Sequence, residues 1–244
     1  MLKTVKPAIY LAVIILIIAA VGLALIASRT KSPAPARQAQ NFQPIEGAQA
    51  NSYEAVAGIG DVKSGDLVIG SEQATLKILV YEDYANVFSA ELAATLEQLV
   101  SEYDGKIALI VRPFVLLGSS DSQAAAKAFL CSQENGKGQA ARERLFELIN
   151  NGGLSEGWEM ALAKDLKINE GKFAACLTNQ DKSVKLEEAT QEARRNLVLG
   201  APTMLVGDEL ILGARPYADF IDSNGDAVEG LKTVVARKLG ANAQ

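Results

Sequence analysis

Residues 75–111, TLKILVYEDYANVFSAELAATLEQLVSEYDGKIALIV, carry the pattern that decides the fold. The run 75–81 is short, rich in β-forming residues and apolar on both faces, which predicts a central strand. Residues 89–103 repeat leucine at intervals of three or four positions and predict an amphipathic helix. The apolar run 107–111 predicts a second buried strand. A strand, a helix and a strand in this order predict a right-handed parallel βαβ unit.

The chain after this unit is predicted to be helical over residues 119–198, with breaks at adjacent asparagine and glycine residues. β-structure then returns, because residues 204–206 and 209–212 flank a tight Gly-Asp turn and predict a hairpin. A last helical stretch is predicted over residues 217–239, with an interruption near Asn224-Gly225.

An uncharged apolar block of 20 residues occupies positions 8–27. As a helix it would span about 30 Å, the thickness of a bilayer core. A secretory signal peptide usually has a shorter apolar region and a small-residue cleavage site, which Ala24 and Ala27 do not form well. A buried core helix is the other alternative, but a helix that is apolar on every face needs partners on all sides. We therefore predict a transmembrane anchor over residues 1–28.

The rest of the chain divides into a linker and one folded domain. Residues 29–65 begin rich in proline, serine, glutamine and alanine and lack a hydrophobic period, which predicts a flexible linker. Residues 66–244 hold the predicted strands and helices, with residues 119–198 as a helical insertion. The basic residues on the two sides of the apolar block do not decide its orientation.

The composition excludes several classes of function. The chain has no histidine, which excludes Ser-His-Asp and Cys-His catalysis and removes the commonest transition-metal ligand. Two distant cysteines cannot form a four-thiolate zinc site. The net charge is −5, and residues 1–37 carry +5, so the remainder carries −10. A domain this acidic would be repelled by nucleic acid and by anionic lipid headgroups.

Four short motifs stand at the edges of the predicted elements. They are a glycine-led turn before the first strand, an Asp-Tyr pair after it, a proline before the hairpin and a second proline after it: residues 70–75, 83–84, 200–203 and 213–217. In their order and spacing these motifs resemble the DsbA-like family, whose best-known members are bacterial thiol-disulfide oxidoreductases, some of them membrane-anchored. The resemblance covers about residues 66–240. It implies an α/β thioredoxin fold with a helical insertion.

The chain departs from that family at the positions that carry the redox chemistry. An active member has C-x-x-C at the start of the first helix, where this chain has Asn86-Val87-Phe88-Ser89. Disulfide exchange needs one thiolate to attack and a second thiol to resolve the mixed disulfide. Neither Asn86 nor Ser89 can supply either, although both residue types suit a helix N-terminus. We therefore predict a redox-inactive domain without a cofactor or a bound metal.

The resemblance also implies a binding groove. Family members hold a proline in the cis form before the hairpin, here Pro202, and the backbone beside it pairs with an extended polypeptide. We expect Ala201, Pro202 and Thr203 to form that edge, with Tyr84 and Phe88 as apolar contacts. The expected ligand is an exported polypeptide or a protein partner in the cell envelope.

Two enzymatic alternatives of the same fold remain open at this stage. One is a thiol-disulfide oxidoreductase that works through an unusual partner. The other is a glutathione-transferase-like enzyme, because kappa-class members place a serine at the first cysteine position. In this chain the first position is Asn86 and the serine is Ser89, the second position.

The two cysteines, Cys131 and Cys176, both fall in the predicted helical insertion. Many DsbA-like proteins carry a second, non-catalytic disulfide there, so the resemblance implies that these two are bonded. Two buried free thiols are the alternative. A structural disulfide is typical of an oxidising compartment. We therefore expect a single-pass protein of the cell membrane whose C-terminal domain is extracytoplasmic.

Overall fold

A five-stranded mixed sheet is the centre of the computed structural model, which describes residues 62–241. In spatial order the strands are β1 (Leu67–Gly70), β3 (Ile107–Pro113), β2 (Leu76–Glu82), β4 (Thr203–Val206) and β5 (Glu209–Leu212). β2 and β3 are parallel, and every other neighbouring pair is antiparallel. The predicted anchor, residues 1–28, and most of the predicted linker lie outside the described residues. Within residues 62–241, no helix is long and apolar enough to cross a membrane.

Seven helices accompany the sheet in the described part of the chain. They are α1 (Val87–Glu102), α2 (Ser120–Glu134), α3 (Gly138–Asn150), α4 (Trp158–Asp165), α5 (Glu170–Leu177), α6 (Gln180–Arg195) and α7 (Leu231–Ala241). The predicted βαβ unit is confirmed as β2, α1 and β3, and the predicted hairpin as β4 and β5. The predicted helical insertion corresponds to α2 through α6.

Alternation along the strands gives each face of the sheet its own core. Ile78 and Val80 of β2 pack with the leucines of α1 and the valines of α7. Leu79 and Tyr81 point to the other face and pack with Ala193 near the end of α6. The sheet is therefore covered by helices on both sides, as a central strand that is apolar on both faces requires.

β1 was not predicted from the sequence. Its four residues are too short a run to show a period, and its last residue, Gly70, was expected in a turn. β1 is antiparallel to β3, with Leu67 opposite Val111. The strand therefore begins at the same end of the sheet where β2 and β3 finish.

The predicted final helix, residues 217–239, is wrong in its first half. A small hairpin of β6 (Phe220–Ile221) and β7 (Ala227–Val228) stands there, and helix begins only at Leu231. The Asp222 Oδ1 accepts hydrogen bonds from the backbone N–H groups of Asn224 and Asp226, at 2.8 and 3.0 Å. A short acidic side chain that binds its own backbone in this way favours a turn over a helix.

The helical insertion has its own apolar core, in which aromatic side chains pack among small and aliphatic ones. Cys131 of α2 and Cys176 of α5 form a disulfide, with their Cα atoms 5.9 Å apart. Cys131 is completely buried. The bond connects two helices of the insertion that are separated by 45 positions in the chain.

A buried ion pair joins the insertion to the sheet. Arg142 of α3 donates two hydrogen bonds, each of 2.8 Å, to the two carboxylate oxygens of Glu82 at the end of β2. Both side chains are fully buried. The same guanidinium donates a third hydrogen bond, 2.6 Å long, to Glu97 of α1. Burial raises the pKa of the Glu82 carboxyl, and the charge of Arg142 opposes that rise.

We predict that Arg142→Met lowers the free energy of unfolding by about 3–5 kcal/mol, because Glu82 is left as a buried charge without its partner. Arg144→Met on the same helix is the matched control, since Arg144 pairs with Glu147 and Asp165 at the surface. Loss of such a surface pair should cost less than about 1 kcal/mol. Urea unfolding of the two variants measures the difference, and equal losses would contradict the role given to Arg142.

We also predict that the double variant Cys131→Ala, Cys176→Ala loses up to about 4 kcal/mol of stability, because the bond closes a long loop in the unfolded chain. Reducing the wild-type protein should lower its stability to a similar level. The unreduced wild-type protein, when denatured, should not react with a thiol reagent, which mass spectrometry measures. Two labelled cysteines would show that the bond is absent.

Candidate functional site

Asn86 caps α1 at the point where the chain leaves β2. Its Oδ1 accepts a hydrogen bond of 2.8 Å from the backbone N–H of Phe88, as an N-cap side chain does. Its Nδ2 donates a hydrogen bond of 3.4 Å to the backbone carbonyl of Ala201. The Asn86 side chain therefore bridges the helix N-terminus and the loop before β4.

Ser89, at the second position, is buried in the first turn of α1. Its hydroxyl oxygen accepts a hydrogen bond of 3.2 Å from the backbone N–H of Asp83. Ser89 therefore fixes the turn between β2 and α1, and its hydroxyl is not available at the surface as a nucleophile.

Asp83 lies in the same turn and is also buried. Its Oδ1 accepts a hydrogen bond of 2.9 Å from the backbone N–H of Ala85. Burial raises the pKa of the Asp83 carboxyl, and hydrogen bonds from Ala85 and from the Ser122 side chain oppose the rise. Sequence reasoning identified Asp83 only as part of a motif, and the structure shows that its carboxyl organises the turn.

The three residues predicted to form the binding edge lie beside Asn86. The Ala201–Pro202 peptide bond is cis. Pro202 is buried, and its carbonyl accepts a hydrogen bond of 2.8 Å from the backbone N–H of Gly213. Thr203 is buried as well, and its hydroxyl donates to the Gly200 carbonyl at 2.7 Å. Pro202 and Thr203 therefore support the loop from beneath.

Ala201 is the half-buried member of the three. Nothing in the described part of the chain accepts a hydrogen bond from its backbone N–H. A backbone donor at the surface beside a sheet can pair with an added extended chain. Ala201 is therefore the backbone position through which this edge can bind a polypeptide.

Tyr84 was predicted to contact a ligand, and its position in the structure does not allow this. The side chain is 0% exposed and lies in the core of the helical insertion. Its ring centroid is 4.6 Å from that of Phe129 and 5.4 Å from that of Phe146. Burial raises the pKa of the Tyr84 hydroxyl well above its ordinary value. Phe88, in contrast, is 43% exposed and can contact a ligand.

Large apolar side chains are exposed around Asn86 and Ala201. We call this group the apolar rim, and it comprises Phe88, Leu116, Leu117, Leu197 and Leu199. The rim residues come from the start of α1, from the loop after β3 and from the loop before β4, which the strand pairing brings to one end of the sheet. Residues 62–241 expose nine large apolar side chains in all, and five of them belong to segments at this one end of the sheet.

The segments that carry the apolar rim have no charged residue. This is true of residues 84–90, 113–120 and 196–206, although charged residues make up 22% of the chain. The loops around Asn86 and Ala201 are therefore uncharged themselves, and Arg194 of α6 lies against one of them, over the Phe114 ring. Of the rim residues, sequence reasoning identified only Phe88. The exposure of the four leucines depends on the fold and had no signal in the sequence.

The only two cysteines of the chain are elsewhere, in the disulfide between α2 and α5. Within residues 62–241, no group of acidic or cysteine side chains is arranged to hold a metal ion. The site thus offers exposed apolar side chains on uncharged loops, a backbone N–H at Ala201 without an acceptor in the described part of the chain, and a capped helix N-terminus.

Comparison with known proteins agrees with this geometry. The family model described as Thioredoxin matches residues 63–222. No curated protein sequence matches the chain.

Solved structures with the same fold include three bacterial proteins. A thioredoxin-like oxidoreductase from Silicibacter pomeroyi has a TM-score of 0.60 at 18% identity, covering 74% of this chain and 94% of its own. BdbD from Bacillus subtilis has a TM-score of 0.60 at 18% identity, covering 77% and 99%. The thiol-disulfide exchange protein α-DsbA2 from Wolbachia pipientis has a TM-score of 0.56 at 21% identity, covering 72% and 86%.

At these identities the similarity establishes the fold and not the chemistry. The predicted α/β thioredoxin-like fold with a helical insertion is confirmed, and the resemblance to DsbA-like proteins with it. The chain belongs to the thioredoxin family.

Proposed function

We propose that this protein is a membrane-tethered, redox-inactive DsbA-like domain that binds extended polypeptide at the edge formed by Ala201 and the apolar rim. The observation that carries the proposal is the apolar rim itself, which surrounds a site from which both thiols are missing. Exposed apolar patches on soluble domains commonly mark interaction sites.

The absence of thiol chemistry follows from the side chains at the start of α1. A helix N-terminus lowers the pKa of a cysteine and so makes it reactive. Here the same backbone groups are capped by Asn86, whose amide also binds the Ala201 carbonyl. An amide has no sulfur to exchange, and the Ser89 hydroxyl is buried.

Polypeptide binding follows from the combination of a backbone donor and apolar surroundings. An extended chain can hydrogen-bond to the N–H of Ala201 and place its side chains against the apolar rim. Uncharged loops favour an occupant whose side chains are themselves uncharged and apolar, because burying a charge against such a surface is costly. A partly unfolded polypeptide exposes segments of this kind.

The cellular setting is argued from the sequence. Residues 8–27 have the length and composition of a membrane anchor, and residues 29–65 the composition of a linker. The Cys131–Cys176 bond supports an oxidising, extracytoplasmic location for the domain. The ligand class that fits this setting is an exported polypeptide or an envelope protein.

We predict that the double variant Asn86→Cys, Ser89→Cys gains the ability to catalyse insulin reduction, which the wild-type protein lacks. The α1 N-terminus should stabilise the new thiolate, and the second cysteine should resolve the mixed disulfide. Turbidity of insulin in the presence of dithiothreitol measures the activity of the full-length protein in detergent. The single variant Asn86→Cys is the control, because it has no second cysteine beside the first to resolve the mixed disulfide.

Activity of the wild-type protein in this assay would show that Cys131 and Cys176 are reactive, and the proposal of a redox-inactive protein would then be wrong.

We further predict that Leu116→Ser with Leu117→Ser weakens peptide binding about tenfold, because the peptide can no longer bury the apolar surface of two exposed leucines. The full-length protein in phosphatidylcholine proteoliposomes is titrated with a ten-residue peptide of alternating leucine and serine that carries one benzophenone. The peptide concentration at half-maximal crosslinking measures the affinity. Val184→Ser on α6 is the control, since Val184 is exposed to a similar degree but lies outside the rim.

Equal crosslinking by the rim variant, the Val184 variant and the wild type would exclude the rim as the binding surface.

A further inference from the structure

Leu197 has a backbone conformation that leucine rarely adopts. Its φ is +66°, in the left-handed region, where the Cβ atom crowds the following carbonyl oxygen. Glycine, which has no Cβ, adopts this region without that cost. Lys167 is the only other non-glycine residue of residues 62–241 with a positive φ.

The left-handed residue completes the end of α6. The backbone N–H of Leu197 donates to the Arg194 carbonyl and that of Val198 donates to the Ala193 carbonyl, both at 3.0 Å. This pair of hydrogen bonds is the Schellman motif, in which glycine is the usual left-handed residue. The motif explains the backbone conformation but does not require a leucine.

The side chain of Leu197 is not used by the motif either. The apolar contact that accompanies a Schellman motif comes from the residue after the left-handed one and from the last turn of the helix. Val198 and Ala193 occupy those positions, and both are buried in one core cluster. The Leu197 side chain is instead 45% exposed. The strained backbone is therefore not compensated by burial of the side chain.

Residues held in strained backbone conformations cluster at functional sites. Leu197 stands four residues before Ala201, in the uncharged loop that leads to the binding edge. We propose that Leu197 is a specificity-determining residue, which holds a leucine in a left-handed position so that it contacts an apolar side chain of the bound polypeptide. This inference rests on the proposed function and assigns one of its recognition contacts.

Lys167 provides a matched comparison within the same chain. It ends α4 with the same two hydrogen bonds, from Lys167 N–H to the Lys164 carbonyl at 3.0 Å and from Ile168 N–H to the Ala163 carbonyl at 2.8 Å. Lys167 is exposed, lies in the helical insertion and has a φ of +57°. Replacing either residue by glycine relieves the same kind of strain, but only Leu197 lies at the rim.

The test compares Leu197→Gly and Lys167→Gly in the full-length protein in phosphatidylcholine proteoliposomes. Both variants should raise the melting temperature by about 2–4 °C, because the strain is removed. Fluorescence of Trp158, the only tryptophan and a buried one, reports the melting. Crosslinking of the benzophenone peptide of alternating leucine and serine should weaken about fivefold for Leu197→Gly and stay unchanged for Lys167→Gly.

Three results would overturn the inference. Unchanged crosslinking by Leu197→Gly, with binding by the wild type intact, removes Leu197 from recognition but leaves the proposed function standing. A lower melting temperature of Leu197→Gly and of Leu197→Asn shows that the side chain serves the fold. Absence of crosslinking by the wild type itself overturns the proposed function, and this inference with it.

Discussion

The guanidinium of Arg142 connects the three parts of the domain that surround the site. It binds Glu82 at the end of β2 and Glu97 on α1, and it belongs to α3 of the helical insertion. Its charge also lies 5.3 Å from the centre of the Phe146 ring. Two charges taken completely out of water cost several kcal/mol each unless their geometry is well matched. The positions of the β2–α1 turn and of the insertion are therefore coupled to this pair.

At the start of α1, hydrogen-bonding side chains occupy the two positions at which the sequence comparison with DsbA-like proteins expects cysteine. In a thiol-disulfide enzyme the backbone N–H groups there stabilise a thiolate. In this protein Asn86 and Ser89 use their side chains to close the cap and to hold the β2–α1 turn. The fold retains the edge at Ala201 and the apolar rim. The proposed binding needs no thiol, because it uses the backbone of Ala201 and apolar side chains.

The sequence predicted the elements whose period is strong and missed features that depend on distant contacts. β2, α1 and β3 are long enough to show their period, but the four residues of β1 are not. Tyr84 was expected to contact a ligand, because the sequence does not show that the helical insertion packs over the turn after β2 and buries this side chain. The exposure of the rim leucines could not be predicted, since the sequence does not distinguish an exposed leucine from a buried one. Glu82 and Arg142 are 60 positions apart, so no local pattern links them.

The direction of β1 determines where the chain enters the domain. Because β1 is antiparallel to β2 and β3, its first residue lies at the end of the sheet where α1 begins. Asp66 is held there by Arg112, and Lys63 pairs with Glu192 close to the end of α6. The polypeptide that leads into the domain therefore arrives next to the loops that carry the rim. A force applied at residues 62–66 would therefore act first on β1 and on the end of α6, at this end of the sheet.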